Sequence, residues 1–109
     1  MTIPRLAPVA DYFRHANAHD ADAVAVCFSQ AAEVRDEGHV YRGRDAIRAW
    51  KRATSARYGA TAHPLACETT SSGCIVRAEV SGNFPGSPAR IVFDFSVDGQ
   101  AITALSISE

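Results

Sequence analysis

One acidic side chain in this sequence is placed to do chemistry. In Glu33-Val34-Arg35-Asp36-Glu37, read as a strand, side chains alternate between two faces. Glu33, Arg35 and Glu37 share one face and belong in water. Val34 shares the other with Asp36, so the Asp36 carboxyl turns toward whatever covers the sheet. Removal from water disfavours a charged carboxylate and raises its pKa. A carboxylate base needs that property to work near neutral pH. A second reading stands beside it: Asp36 caps the following turn through the amides of Gly38 or His39.

Tyr12 is the second candidate. It falls on an apolar helical stripe with Val9, Phe13 and Ala16, which buries its ring. A buried phenol seeks a partner for its hydroxyl, and that hydroxyl can donate to a substrate oxygen or to a backbone carbonyl. Trp50, Tyr58, Phe84, Phe93 and Phe95 can line a pocket for a flat apolar ligand or serve as plain core. Phe84 lies in Asn83-Phe84-Pro85-Gly86-Ser87-Pro88, a loop where it can gate a mouth or meet a second copy of the chain. His39, three residues after Asp36, completes the set of substrate-facing candidates.

Other chemistries find little support. His15, His19, His39 and His63 form no cluster with metal-ligand spacing. The three cysteines, Cys27, Cys67 and Cys74, form no CxxC pair and read as reduced thiols of a cytosolic protein. No GxSxG, P-loop or GxGxxG occurs, so no serine elbow and no nucleotide cofactor is expected.

The elements that must carry these groups follow from periodicity. A first helix is expected over about Pro8 to Ala18. Asp20 caps a second, whose stripe is Ala23, Val24, Cys27 and Phe28 and which ends at Ala31-Ala32. Glu33 to Asp36 and Val40 to Arg42 are short strands around a Gly38-His39 turn. A third helix starts at Asp45, places Ile47, Trp50, Thr54 and Tyr58 on one face, and stops at Gly59. Strands follow at Leu65 to Thr70, Cys74 to Val80, Ile91 to Val97 and Ala101 to Ile107, with Asp98-Gly99 as a tight turn. The order ααββαββββ predicts an α+β domain: three helices packed on a curved antiparallel sheet, a cone whose interior is core or pocket.

Composition agrees with one domain spanning residues 1–109. Apolar residues are 47% and charged residues 21%, ordinary for a globular chain. No stretch approaches the ~20 apolar residues needed to span a bilayer. The start, Met1-Thr2-Ile3-Pro4-Arg5, lacks a basic region followed by an apolar run, so no signal peptide is expected. The formal charge of −1 leaves no excess of base for phosphates, which argues against nucleic acid as a partner. Arg42, Arg44, Arg48, Lys51, Arg52 and Arg57 cluster in and before the third helix and read as a solvated face, or as a place for an anionic group.

Two segments resemble a known family. Asn17-Ala18-His19-Asp20-Ala21-Asp22-Ala23-Val24, completed by Phe28, is similar to the NAxDxDAxxxxF segment of the nuclear transport factor 2-like superfamily. Val34-Arg35-Asp36, followed by Tyr41-Arg42-Gly43-Arg44-Asp45-Ala46-Ile47-Arg48-Ala49-Trp50, looks like its V-x-D … G-x-x-A-I-x-x-[FW] stretch. The flavour is that of the SnoaL-like group, named for a polyketide cyclase. The resemblance implies a cystatin-like cone, and many activities and pure binders share it. Similarity to ketosteroid isomerases implies a general base at Asp36 and an oxyanion-stabilising tyrosine at Tyr12. Their third position falls on Phe93, with Asp94 turned to the opposite face. In SnoaL-like cyclases an aspartate serves as acid/base in an aldol ring closure, with Asp36 as its possible counterpart.

Three functions are thereby in view. The first is a cofactor-free isomerase or cyclase that moves a proton next to a carbonyl, with Asp36 as base and Tyr12 holding the enolate oxygen. The second is a dimeric, non-catalytic module for a small apolar ligand. The third is a protein-interaction domain. In each, the open sheet face calls for cover, and a homodimer through that face is expected.

Overall fold

The structure, a computed structural model, describes residues 6–109. The expectation about Met1–Arg5 lies outside the described residues. Helix α1 spans Ala7–Asn17 with a proline in its first turn, and buries Val9, Tyr12, Phe13 and Ala16 on one side. Helix α2, Ala21–Val26, begins where the Asp20 carboxylate accepts from the Ala23 amide at 3.1 Å. A side-chain acceptor there satisfies one of the free amides of a first turn.

Strand β1 spans Phe28–Asp36, longer than its sequence suggests. The second helix does not reach Ala31. The amide of Ile102 donates to the Cys27 carbonyl at 2.9 Å, and Phe28 sits opposite Ile102. Pairing with a distant strand thus overrides a helical stripe that Cys27 and Phe28 would extend. Strand β2, His39–Arg42, folds back on β1 through Glu37 and Gly38, both at positive φ. The tight turn is therefore Glu37-Gly38, and His39 pairs with Asp36 instead of standing in the turn.

Helix α3 spans Arg44–Tyr58 and ends at left-handed Gly59. Strands β3 (Thr61–Thr69), β4 (Gly73–Ser81), β5 (Ala89–Asp98) and β6 (Ala101–Ser108) follow as a meander. The sheet order is β2-β1-β6-β5-β4-β3. All neighbours are antiparallel except β1 and β6, which run parallel. The sheet is thus mixed, not purely antiparallel. Helix α3 carries the chain past the sheet, and the returning meander lays the last strand beside the first.

The described part of the molecule is three helices on a six-stranded sheet, an α+β cone. Its core joins Val9, Phe13, Phe28, Val34, Ile47, Phe95 and Leu105, all almost fully buried. On the other face of the sheet, Arg35, Arg77, Asp94 and Ser106 are exposed. Among the described residues no helix is long and apolar enough to cross a membrane.

Candidate functional site

Asp36 closes β1 at the open end of the cone, two residues after Val34, which is wholly buried. Its side chain is half-buried. Its partner is neither the Gly38 nor the His39 amide: the indole Nε1 of Trp50 donates to Oδ2 at 3.0 Å. Burial holds the Asp36 carboxyl above the usual aspartate range. The Trp50 bond opposes that rise, the Glu37 charge adds to it, and Lys51 and the Glu37 amide oppose it again.

The carboxylate forms part of the wall of a cavity of about 610 Å³. That volume lies within the range of small-molecule sites, about 300–1,000 Å³. Tyr58, Phe84, Ile91, Phe93 and Ile107 supply apolar wall, and Glu37 and Arg57 stand at its polar side. The Tyr58 hydroxyl donates to Oε1 of Glu37 at 3.1 Å, tying the end of α3 to the β1–β2 turn. Its ring meets Phe84 edge-on, with centroids 5.9 Å apart. Phe84 thus sits at the cavity, as its loop position allowed.

The other candidates are placed as follows. Trp50 is 4% exposed and joins the site through its bond to Asp36, while its outer edge borders a groove with Tyr41. Tyr12 is 1% exposed and lies in the aromatic core beside Phe13, Phe28, Phe93 and Phe95 rather than on the cavity wall. Burial raises its phenol far above the ordinary range, and the nearby Asp36 and Cys27 add to that. His39 is exposed on β2, off the cavity wall, with its ring 6.3 Å from that of Tyr41. Phe93 is buried and Asp94 is exposed, as alternation predicts. The structure therefore gathers Asp36, Tyr58, Phe84 and Phe93 at one cavity, links Trp50 to it, and keeps His39 outside.

The basic cluster separates into two kinds of residue. Arg48 and Arg52 both reach Asp22 across the α2–α3 contact, at 3.1 and 3.2 Å, and Arg42 reaches Glu33 at 2.9 Å. Arg44 donates from Nε to the Phe28 carbonyl at 2.8 Å. Lys51 is not part of a solvated face. Its Nζ lies 5.0 Å from the centroid of the Trp50 ring and 5.7 Å from that of Tyr12. Burial lowers its pKa to about 8, and Asp36 works against that fall. The signal was present in the sequence: Lys51 is four residues after Ile47 and three before Thr54, on the inward stripe. Its charge, in a run of arginines, masked it.

A smaller cleft of about 340 Å³ between α1 and α2 holds Asp11, His15 and Cys27. Burial pushes the Cys27 thiol up to about 11, which leaves it protonated and a poor nucleophile. Among the described residues no three His, Cys, Asp or Glu side chains are grouped to hold a metal ion.

A family model described as SnoaL-like domain matches residues 9–104. Among solved structures, the chain is 34% identical to a Sinorhizobium meliloti protein proposed to be a polyketide cyclase. The TM-score is 0.90, and 94% of each chain is covered. It is 18% identical, with a TM-score of 0.85, to a protein of ketosteroid isomerase-like fold from Catenulispora acidiphila, seen in complex with trimethylamine. That match covers 99% of this chain and 87% of the other. It is 21% identical, with a TM-score of 0.80, to SalBIII, an epoxide hydrolase/cyclase-like enzyme of pyran ring formation in polyether salinomycin. That match covers 93% and 86%. The last two likenesses concern the fold alone. None of the curated proteins matches the chain.

Proposed function

We propose that this chain, which belongs to the SnoaL-like family, binds a small, largely apolar carbonyl compound in its cone and moves a proton beside the carbonyl, as an isomerase or cyclase. One observation carries the reading: a half-buried carboxylate of weakened acidity stands on the wall of a cavity of about 610 Å³ that is otherwise mostly apolar. In this reading Asp36 takes the proton from carbon, and Tyr12, the oxyanion donor that the resemblance to ketosteroid isomerases implies, backs the site from behind its wall. Trp50 fixes the carboxylate in place through its 3.0 Å bond. Tyr58, Phe84 and Phe93 hold the ligand's flat faces. No cofactor enters this scheme, because the base is the protein's own.

A specific observation favours a second reading, a binding module without chemistry. Tyr12 lies behind the cavity wall rather than on it, and the resemblance to ketosteroid isomerases puts their third polar position on an apolar ring, Phe93. The cavity itself supports either small-molecule reading over a protein-docking domain. The exposed sheet face supports a two-fold homodimer as the assembly. Three free cysteines support a reducing compartment, the cytoplasm, as its place.

The deciding experiment is hydrogen–deuterium exchange at carbon in D2O, followed by NMR for a panel of cyclic ketones and β-dicarbonyl compounds. Catalysed exchange that is lost in Asp36→Asn supports the enzyme. Binding of panel members, with exchange equal to buffer in both proteins, supports the binding module.

A further inference from the structure

The chain holds ten arginines and a single lysine, Lys51. Arginine carries the described surface charge pairs: Arg14, Arg35, Arg42, Arg48, Arg52, Arg77 and Arg90 each meet a carboxylate. The one ammonium is drawn inward, over the only tryptophan of the chain and over Tyr12. The two side chains differ in chemistry. Guanidinium keeps its charge at any pH of interest, whereas an ammonium on an apolar seat can give up its proton.

We propose that Lys51 is a positioning residue of this site: its ammonium, held over Trp50 and Tyr12, favours the charged form of Asp36 and so extends the site's action to lower pH. The proposal rests on the reading of Asp36 as the site's proton acceptor, and it adds a residue to that reading. Lys51 acts through its neighbours, since it does not form part of the cavity wall. The groups around it are few. From β1 comes Asp36, with Glu37 bearing on Asp36 from the turn. From α1 comes Tyr12, itself influenced by Cys27 at the end of α2. From its own helix comes Trp50, which does not titrate but joins Lys51 to Asp36 by an aromatic face on one side and a hydrogen bond on the other.

The charge balance explains what the ammonium does. At rest the cone holds Asp36 as carboxylate and Lys51 as ammonium. When a proton passes from the ligand's carbon to Asp36, the C–H bond breaks, the carboxyl becomes neutral, and the electron pair settles on the ligand oxygen as an enolate. One negative charge has moved from Asp36 to the ligand, and Lys51 offsets it before and after. The ligand class that keeps this balance is an uncharged carbonyl compound.

Because Lys51 is the only lysine and Trp50 the only tryptophan, the test needs neither turnover nor a known substrate. Protein labelled with 13C at the lysine side chain is titrated by NMR, alongside Asp36 carboxyl carbon and Trp50 fluorescence. In the native chain the lysine is expected to titrate near pH 8, with a Trp50 fluorescence step at the same midpoint. Asp36→Asn is expected to lower the lysine midpoint, and Lys51→Met to raise that of Asp36 and abolish the fluorescence step. A lysine midpoint near 10.5 in the native chain would overturn the proposal, as would an Asp36 midpoint that is the same in folded Lys51→Met.

Should Lys51→Met not fold, Lys51→Gln serves as the neutral variant. For any compound found to exchange, the rate is expected to rise with pH through the Asp36 midpoint; Lys51→Arg, which keeps a charge there, should hold that rise at the native pH, and the neutral variant should move it upward. A rise at the same pH in the native protein and the folded neutral variant would overturn the proposal. If no compound exchanges while the titrations behave as stated, the enzymatic reading fails and the Lys51–Asp36 coupling stands.

Discussion

The indole Nε1 of Trp50 and Oδ2 of Asp36 are 3.0 Å apart, and this bond joins the middle of α3 to the last residue of β1. A charged acceptor makes such a bond shorter and stronger than a neutral pair would. It also fixes one carboxylate oxygen, leaving the other for chemistry. Trp50→Phe keeps the ring and removes the donor. It is expected to lower stability by about 1–3 kcal/mol at neutral pH, in the range of hydrogen bonds to charged groups. It should also raise the Asp36 midpoint, because the bond that favours the ionised form is gone. Urea denaturation and carboxyl NMR measure the two effects.

Asp36→Asn should stabilise the fold at neutral pH. The folded chain holds the Asp36 proton more tightly than the unfolded chain, so the ionised carboxylate weighs against folding at pH 7. As pH falls through the folded midpoint the native side chain becomes neutral and this penalty fades. It is gone below the unfolded value. The variant's advantage in Tm is therefore expected at pH 7 and should vanish toward pH 3.5, measured against the native protein at each pH so that other carboxylates cancel.

Lys51→Met has the mirror-image signature. Between its folded pKa of about 8 and the ordinary lysine value of 10.5, the unfolded chain binds a proton that the folded chain does not. Native stability from this group consequently rises with pH across that window. The variant should be more stable than the native protein by about 1–3 kcal/mol at pH 7, on the scale of replacing a buried charge by an apolar side chain. The gap should close toward pH 10.5. A protein that keeps such a residue gives up stability at its functional site.

Gly43→Ala tests how α3 is aimed. Gly43 precedes the helix at φ +87 and ψ 157, a region open in practice to glycine alone, and its amide donates to the Ala32 carbonyl at 2.8 Å. Alanine at that conformation is expected to lower stability by about 1–3 kcal/mol. It should also blue-shift or broaden Trp50 emission as the entry angle changes. Unchanged emission with lowered stability would separate strain from aim.

Much of this was legible in the residues. Alternation around Val34 turned Asp36 inward, and the stripe of Val9, Phe13 and Ala16 buried Tyr12. Three features were not legible, for physical reasons. Cys27 and Phe28 continue a helical stripe, and only the distant strand that pairs with them pulls them into β1. The parallel contact of β1 with β6 is set by the path of the whole meander, which no local period encodes. Lys51 was hidden by its type. A cation among arginines reads as solvated until Ile47 and Thr54 are seen to share its face.

The parallel seam between β1 and β6 has a consequence for how the molecule comes into being. Val34 pairs with Leu105, so the strand that ends at Asp36 waits for almost the entire polypeptide before it gains its inner neighbour. Contacts so remote along the chain close slowly, and the waiting strand keeps a bare hydrogen-bonding edge meanwhile. A ribosome thus releases the segment bearing the acid long before the cone that shelters it can exist.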